Sequence, residues 1–110
     1  GIRYAFIHEA NFRIQCGISL VILVLVAVFP LKMWECVLLV MMCAFVLVLE
    51  LINTAFEVFA DLLVPRLHHH VATVKDVMAG AVLVASCAAL IIGILILAPH
   101  GIAYLVPWIK

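Results

Sequence analysis

Charge is what this sequence has least of: six basic and six acidic side chains among 110 residues, 11% of the chain. A soluble domain is roughly a quarter charged and half apolar, whereas here 70% of the residues are hydrophobic. So few charges could not clothe a water-facing surface of this size. An ordinary soluble globule is excluded, and the bilayer is the solvent. The net charge is zero with the histidines neutral, so nothing electrostatic points to a nucleic-acid partner. Glycine is sparse too, and Gly17, Gly80, Gly93 and Gly101 form neither GxxxxGK nor GxGxxG. That excludes a soluble phosphate-loop fold. The four cysteines, Cys16, Cys36, Cys43 and Cys87, lie irregularly spaced inside apolar runs and read as small hydrophobes, not metal ligands or disulfide partners.

What is there in quantity is long apolar runs. Hydropathy predicts an all-α integral membrane protein of one domain, residues 1–110, with spans at about 14–29, 36–64 and 77–98. Gly1 to Arg13 reads as a short interfacial helix feeding directly into the first span. Pro30 to Glu35 reads as a tight polar turn, Pro65 to Thr73 as the one substantial loop, and Pro99 to Lys110 as a tail with Tyr104 and Trp108 at an interface. The first apolar run ends Val28-Phe29-Pro30 without a small-residue cleavage site, so a removable signal peptide is not expected. The second hydrophobic helix would be about 43 Å long, so its end must leave the hydrocarbon. Arg3, Arg13, Arg66 and Lys75 fall on one side of this arrangement and Lys32 and Lys110 on the other. The positive-inside tendency then places the N-terminus and the second loop in the cytoplasm.

The few charges are not scattered. Glu50, Asn53, Glu57 and Asp61 follow one another at steps of three, four and four, which puts them within an arc of about 80° on a helix. Carboxylates at membrane depth cost several kcal/mol unless paired, hydrated or liganded, and they mark functional sites. The plainer alternative is a polar cluster that holds a bundle together or a solvated helix end. Glu9 and Arg13 share a helix face, as a simple ion pair would require. Glu9 lies near the same membrane surface as Glu57, however, and two carboxylates suit Mg²⁺ alongside substrate phosphates. Lys75-Asp76 opens the third helix, either as a snorkelling lysine or as a cation for phosphate. Ala81, Ala85, Ala89 and Gly93 recur every four residues, a close-packing face in lipid. The run His68 to His70 has no cysteine or HExxH partner, so a zinc site is not expected.

These residues carry a resemblance. Glu9-Ala10-Asn11-Phe12-Arg13, then Glu50 to Glu57 as ELINTAFE with Asp61, then Val74-Lys75-Asp76 followed by Ala79-Gly80-Ala81-Val82-Leu83, resemble the bacterial diacylglycerol kinase and undecaprenol kinase family, in order and over nearly the whole chain. The resemblance implies an ATP-dependent lipid kinase of the bacterial cytoplasmic membrane. It further implies a homotrimer of three-span subunits, with active sites between neighbours on the cytoplasmic side. Glu9 and Glu57 match its metal-binding glutamates for Mg²⁺ or another divalent ion, and Glu50 its proposed general base. Asn53, Asp61, Lys75 and Asp76 match residues lining the nucleotide site, and His68 a loop histidine near it. Pro65-Arg66-Leu67 and His8 depart from the family pattern, which bears on nucleotide grip. Asn11-Phe12-Arg13-Ile14 and Ala79 to Val84 look closer to the undecaprenol branch, although these motifs do not fix the lipid. Two rival classes are a small multi-span transporter with an intramembrane carboxylate and a structural membrane subunit. The first would need a fourth span, and the second would leave the Glu50 stripe unexplained.

Overall fold

The computed structural model describes residues 1–64, 66 and 68–109, the side chains of His68 and Ile109 excepted. Expectations resting on Pro65, Leu67, Lys110 and the His68 side chain lie outside the described residues. Among the described residues four helices follow in order: α1 (Ile2–His8), α2 (Ala10–Val28), α3 (Met33–Asp61) and α4 (His68–Ile109). The last three are each long and apolar enough to cross a membrane. No strand forms among the described residues. This is the all-α architecture that hydropathy predicts, with a short N-terminal helix in front of three spans.

Several boundaries differ from expectation, and the expected loop from Pro65 to Thr73 is cut short because α4 already begins at His68. The helix running from Gly1 into the first span is broken at Glu9, whose backbone is extended at φ −116°, ψ 108°. Arg13 holds the break. Its Nη1 donates to the carbonyls of Phe6 and Ile7 at 2.8 and 3.0 Å, satisfying acceptors that the end of α1 leaves open. The Glu9–Arg13 ion pair that spacing allows is absent among the described residues, because the arginine turns back to α1 instead.

The α2–α3 turn is shorter than the sequence suggests. α3 already starts at Met33, where the Lys32 backbone N–H donates to Glu35 Oε1 at 2.9 Å, half of a capping box. α4 departs most, running on through Pro99 and Pro107. A proline removes one intrahelical bond and ordinarily ends a helix, but side chains from the other elements hold the turns beyond it. His100 Nε2 lies 3.4 Å from Glu35 Oε1. Phe29 stacks on His100 with centroids 6.4 Å apart and meets Tyr104 at 6.2 Å. With 42 residues, α4 rises about 63 Å, roughly twice a hydrocarbon core, and so protrudes from the bilayer.

α3 is the spine. α2 and α4 each pack on it, α1 sits against α2 and α3, and among the described residues the backbones of α2 and α4 do not approach each other. The space between α2 and α4, floored by α3, is an apolar groove of about 670 Å³. Of the four small residues on α4, only Ala85 is packed away, at 6% exposure. Ala81 is exposed, Ala89 and Gly93 line the groove, and a Cβ on Gly93 would meet nothing within 4 Å. Close helix approach within the chain is therefore a matter of Ala85. Ala85→Leu is expected to cost about 1–3 kcal/mol by overpacking and to lower the melting temperature in detergent. Ala81 is exposed, so Ala81→Leu should melt near wild type; if it melts as low as Ala85→Leu, the wrong face has been assigned.

Candidate active site

The acidic stripe of α3 runs from the middle of the span to its C-terminal end. Its deepest member, Glu50, is the most completely buried large side chain, at 1% exposure. Asn53 and Thr54 beside it are 7% and 5% exposed. The Thr54 hydroxyl donates to the Glu50 carbonyl at 3.0 Å, a local bond that leaves the Glu50 carboxylate untouched. That carboxylate is met from across the helix pair: Gln15 of α2 donates from Nε2 to Glu50 Oε2 at 3.3 Å. The other oxygen, Glu50 Oε1, is buried without a partner among the described residues, as are Gln15 Oε1 and Asn53 Oδ1. Each unmatched buried acceptor costs about 1–3 kcal/mol, so three together in one small region form a site awaiting donors.

One and two turns further along α3, Asn53 Nδ2 donates to Glu57 Oε1 at 3.3 Å. Glu57 in turn meets Glu9 side chain to side chain. The break between α1 and α2 makes that contact possible, since Glu9 sits at the kink and turns toward α3. Burial, and then the contact and charge of Glu57, push the Glu9 carboxyl above the usual glutamate range. Two carboxylates pressed together repel when both are ionised, and a cation between them removes that penalty. The donor set, two carboxylates and the open Asn53 Oδ1, has the oxygen chemistry that suits a hard divalent ion. Among the described residues no group of three or more His, Cys, Asp or Glu side chains converges on one point.

At the end of the stripe, Lys75 Nζ pairs with Asp61 Oδ1 at 2.7 Å across the α3–α4 connection. The two side chains are 41% and 64% exposed, so the pair itself adds little stability. Its charge nonetheless lies within electrostatic reach of Glu57. Asp76 is exposed beside Lys75 and makes no ion pair or hydrogen bond among the described residues. His68 opens α4. The residues expected from sequence are thus grouped as Glu9–Glu57–Asn53, Asp61–Lys75 and a separate, deeper Glu50, with Asp76 apart. Gln15 was not among them. A glutamine within a span is itself costly in lipid, and with Asn11 and Ser19 four residues to either side it was the signal for a polar row on α2.

Fold and site together define a multi-pass helical membrane protein with an open carboxylate cluster at one end of its spans. The comparisons with known proteins place that class within a family. The profile of the prokaryotic diacylglycerol kinases matches residues 1–97, and the chain belongs to that family. It is 36% identical over 107 residues to a diacylglycerol kinase of Synechocystis sp., covering 96% of this chain and 61% of the relative. It is 32% identical over 91 residues to an undecaprenol kinase of Bacillus subtilis, covering 83% of this chain and 74% of the relative. The chain thus spans about three-fifths of the length of the Synechocystis protein.

Proposed function

We propose that this chain is an ATP-dependent lipid kinase that transfers the γ-phosphate to the hydroxyl of a membrane lipid alcohol. The observation that carries the reading is the fully buried Glu50 with an open Oε1, set behind the Glu9–Glu57 pair. A carboxylate withheld from water, with one oxygen unclaimed, is placed to accept a proton from a donor arriving within the membrane. Glu9, Glu57 and Asn53 are the residues that would hold Mg²⁺ or another divalent ion, which when bound would supply positive charge against the phosphates. Lys75 adds a positive charge to the same region, with Asp61 fixing its position and Asp76 and His68 completing the nucleotide surface. In the transfer, the lipid oxygen bonds to the γ-phosphorus as its proton passes to Glu50. The bond from that phosphorus to the bridging oxygen breaks, and ADP leaves. The site faces the cytoplasm of a bacterial inner membrane, where ATP is available. The subunits assemble as a homotrimer, a reading consistent with the open α2–α4 face and the many exposed apolar side chains.

The two named relatives act on different lipids by name, diacylglycerol and undecaprenol, and both are offered as substrates. The test is transfer of radiolabelled γ-phosphate from ATP to each lipid, side by side, in detergent micelles with Mg²⁺. The expected result is a phosphorylated lipid product that disappears on chelation of the metal. No labelled lipid from either substrate, with folded protein present, would overturn the proposal.

A further inference from the structure

The apolar groove between α2 and α4 is lined on the α2 side by Ile18, Ile22, Leu25 and Phe29, all on one helical face with Gln15. Gln15 is the lining residue that also reaches the Glu50 carboxylate. It therefore stands where hydrocarbon surroundings end and the buried acid begins. Its geometry is asymmetric: Nε2 occupies Glu50 Oε2, while Glu50 Oε1 is left buried and open.

We propose that Gln15 is a positioning residue for the transfer, fixing the Glu50 carboxylate so that Oε1, not Oε2, faces the incoming lipid hydroxyl. The inference rests on the reading of Glu50 as the base. A carboxylate has two equivalent oxygens and a broad terminal torsion. Anchoring one oxygen from a neighbouring helix selects a single orientation and aims the free lone pairs at one place. No other side chain in the described structure donates to that carboxylate; Thr54 bonds only the Glu50 backbone carbonyl. The anchor is an amide, which stays uncharged whatever the proton does, so it can hold Glu50 both before and after proton transfer. A purely structural role, in which Gln15 merely satisfies a buried acid, would show in stability and not selectively in turnover.

The experiment compares Gln15→Met, Gln15→His, Glu50→Gln and the Gln15→Met/Glu50→Gln double variant. For each, kcat, both KM values and thermal melting are measured with Mg-ATP and whichever lipid the wild type phosphorylates. Gln15→Met keeps the side-chain length and removes the donor. It is expected to lower kcat about ten- to a hundredfold, with both KM values nearly unchanged. Gln15→His restores an N–H donor and should recover part of the lost kcat. The double variant should be no slower than Glu50→Gln alone, since an anchor has nothing to aim once the base is gone. Full kcat in Gln15→Met, or a loss confined to the lipid KM, overturns the assignment. Where Gln15→Met does not fold, Gln15→Asn takes its place: it keeps the amide but retracts it by one methylene, and full kcat there is equally fatal. A fully active Glu50→Gln sinks the base reading itself. An inactive Glu50→Gln beside a fully active Gln15→Met sinks only the role given to Gln15.

Discussion

Glu50→Gln should lower kcat by about 10²- to 10⁴-fold while Mg-ATP affinity stays near wild type. The substitution keeps the shape of the side chain, so Gln15 Nε2 can still donate to an amide oxygen where it now meets Oε2. What it removes is the ability of the open Oε1 position to take a proton. The amide also relieves the cost of a charge buried at 1% exposure, so the variant should melt no lower than wild type, and an increase is expected. A loss of turnover without loss of stability or nucleotide binding is the pattern of a group needed in the transition state and not for folding. Steady-state kinetics, nucleotide titration and thermal melting on one preparation decide it. A Glu50→Gln protein that melts far below wild type would instead make Glu50 a structural acid.

How much of this was legible beforehand differs between the fold and the site. Three apolar runs in a chain with so few charges leave no other architecture, and the spans follow from hydropathy alone. Their ends do not, because they are set by contacts between elements. Nothing near Glu9 in sequence announces a break; the break is held by Arg13 reaching two carbonyls of the preceding helix. Pro99 reads as a stop, yet α4 continues because His100 finds Glu35 and Tyr104 finds Phe29. In both cases a tertiary partner overrides a local rule.

The stripe from Glu50 to Asp61 was legible because periodicity alone gathers it on one helix face. Which member does what was not, since periodicity is blind to depth and to neighbouring helices. The structure separates them: Glu50 is enclosed with Gln15, Glu57 is met by Glu9, and Asp61 is exposed with Lys75. Three residues that look interchangeable along the sequence have three different electrostatic settings. The Glu9–Glu57 contact joins residues from opposite ends of two spans, and it entered the sequence reading through a shared membrane surface and a family likeness. Gln15 escaped both routes: Asn11 and Ser19 stand four residues to either side of it on α2, but that polar row carries no charge and did not stand out beside the acidic stripe.

That separation makes Glu57→Gln the complementary prediction. Glu57 lies seven residues beyond Glu50, about two helical turns or 10 Å along the helix axis, and meets Glu9 where Glu50 meets Gln15. It touches Glu9 and accepts from Asn53, so its removal halves the charge of the pair that would hold the metal. Mg-ATP affinity should fall by at least about tenfold, the effect of losing one carboxylate ligand from an open site, and turnover should fall with it. Burial is the first cause of the raised Glu9 carboxyl and Glu57 the second; removing Glu57 leaves the burial but ends the repulsion, so the folded protein should be no less stable without metal. The decisive comparison is the response to added Mg²⁺. Wild type should gain thermal stability from Mg²⁺ with nucleotide, because a ligand bound only by the folded state stabilises it by mass action. Glu57→Gln should lose most of that gain, whereas Glu50→Gln should keep it. Should Glu50→Gln lose the Mg²⁺-dependent gain as badly as Glu57→Gln, the stripe is one nucleotide-metal cluster and the division between base and metal pair fails.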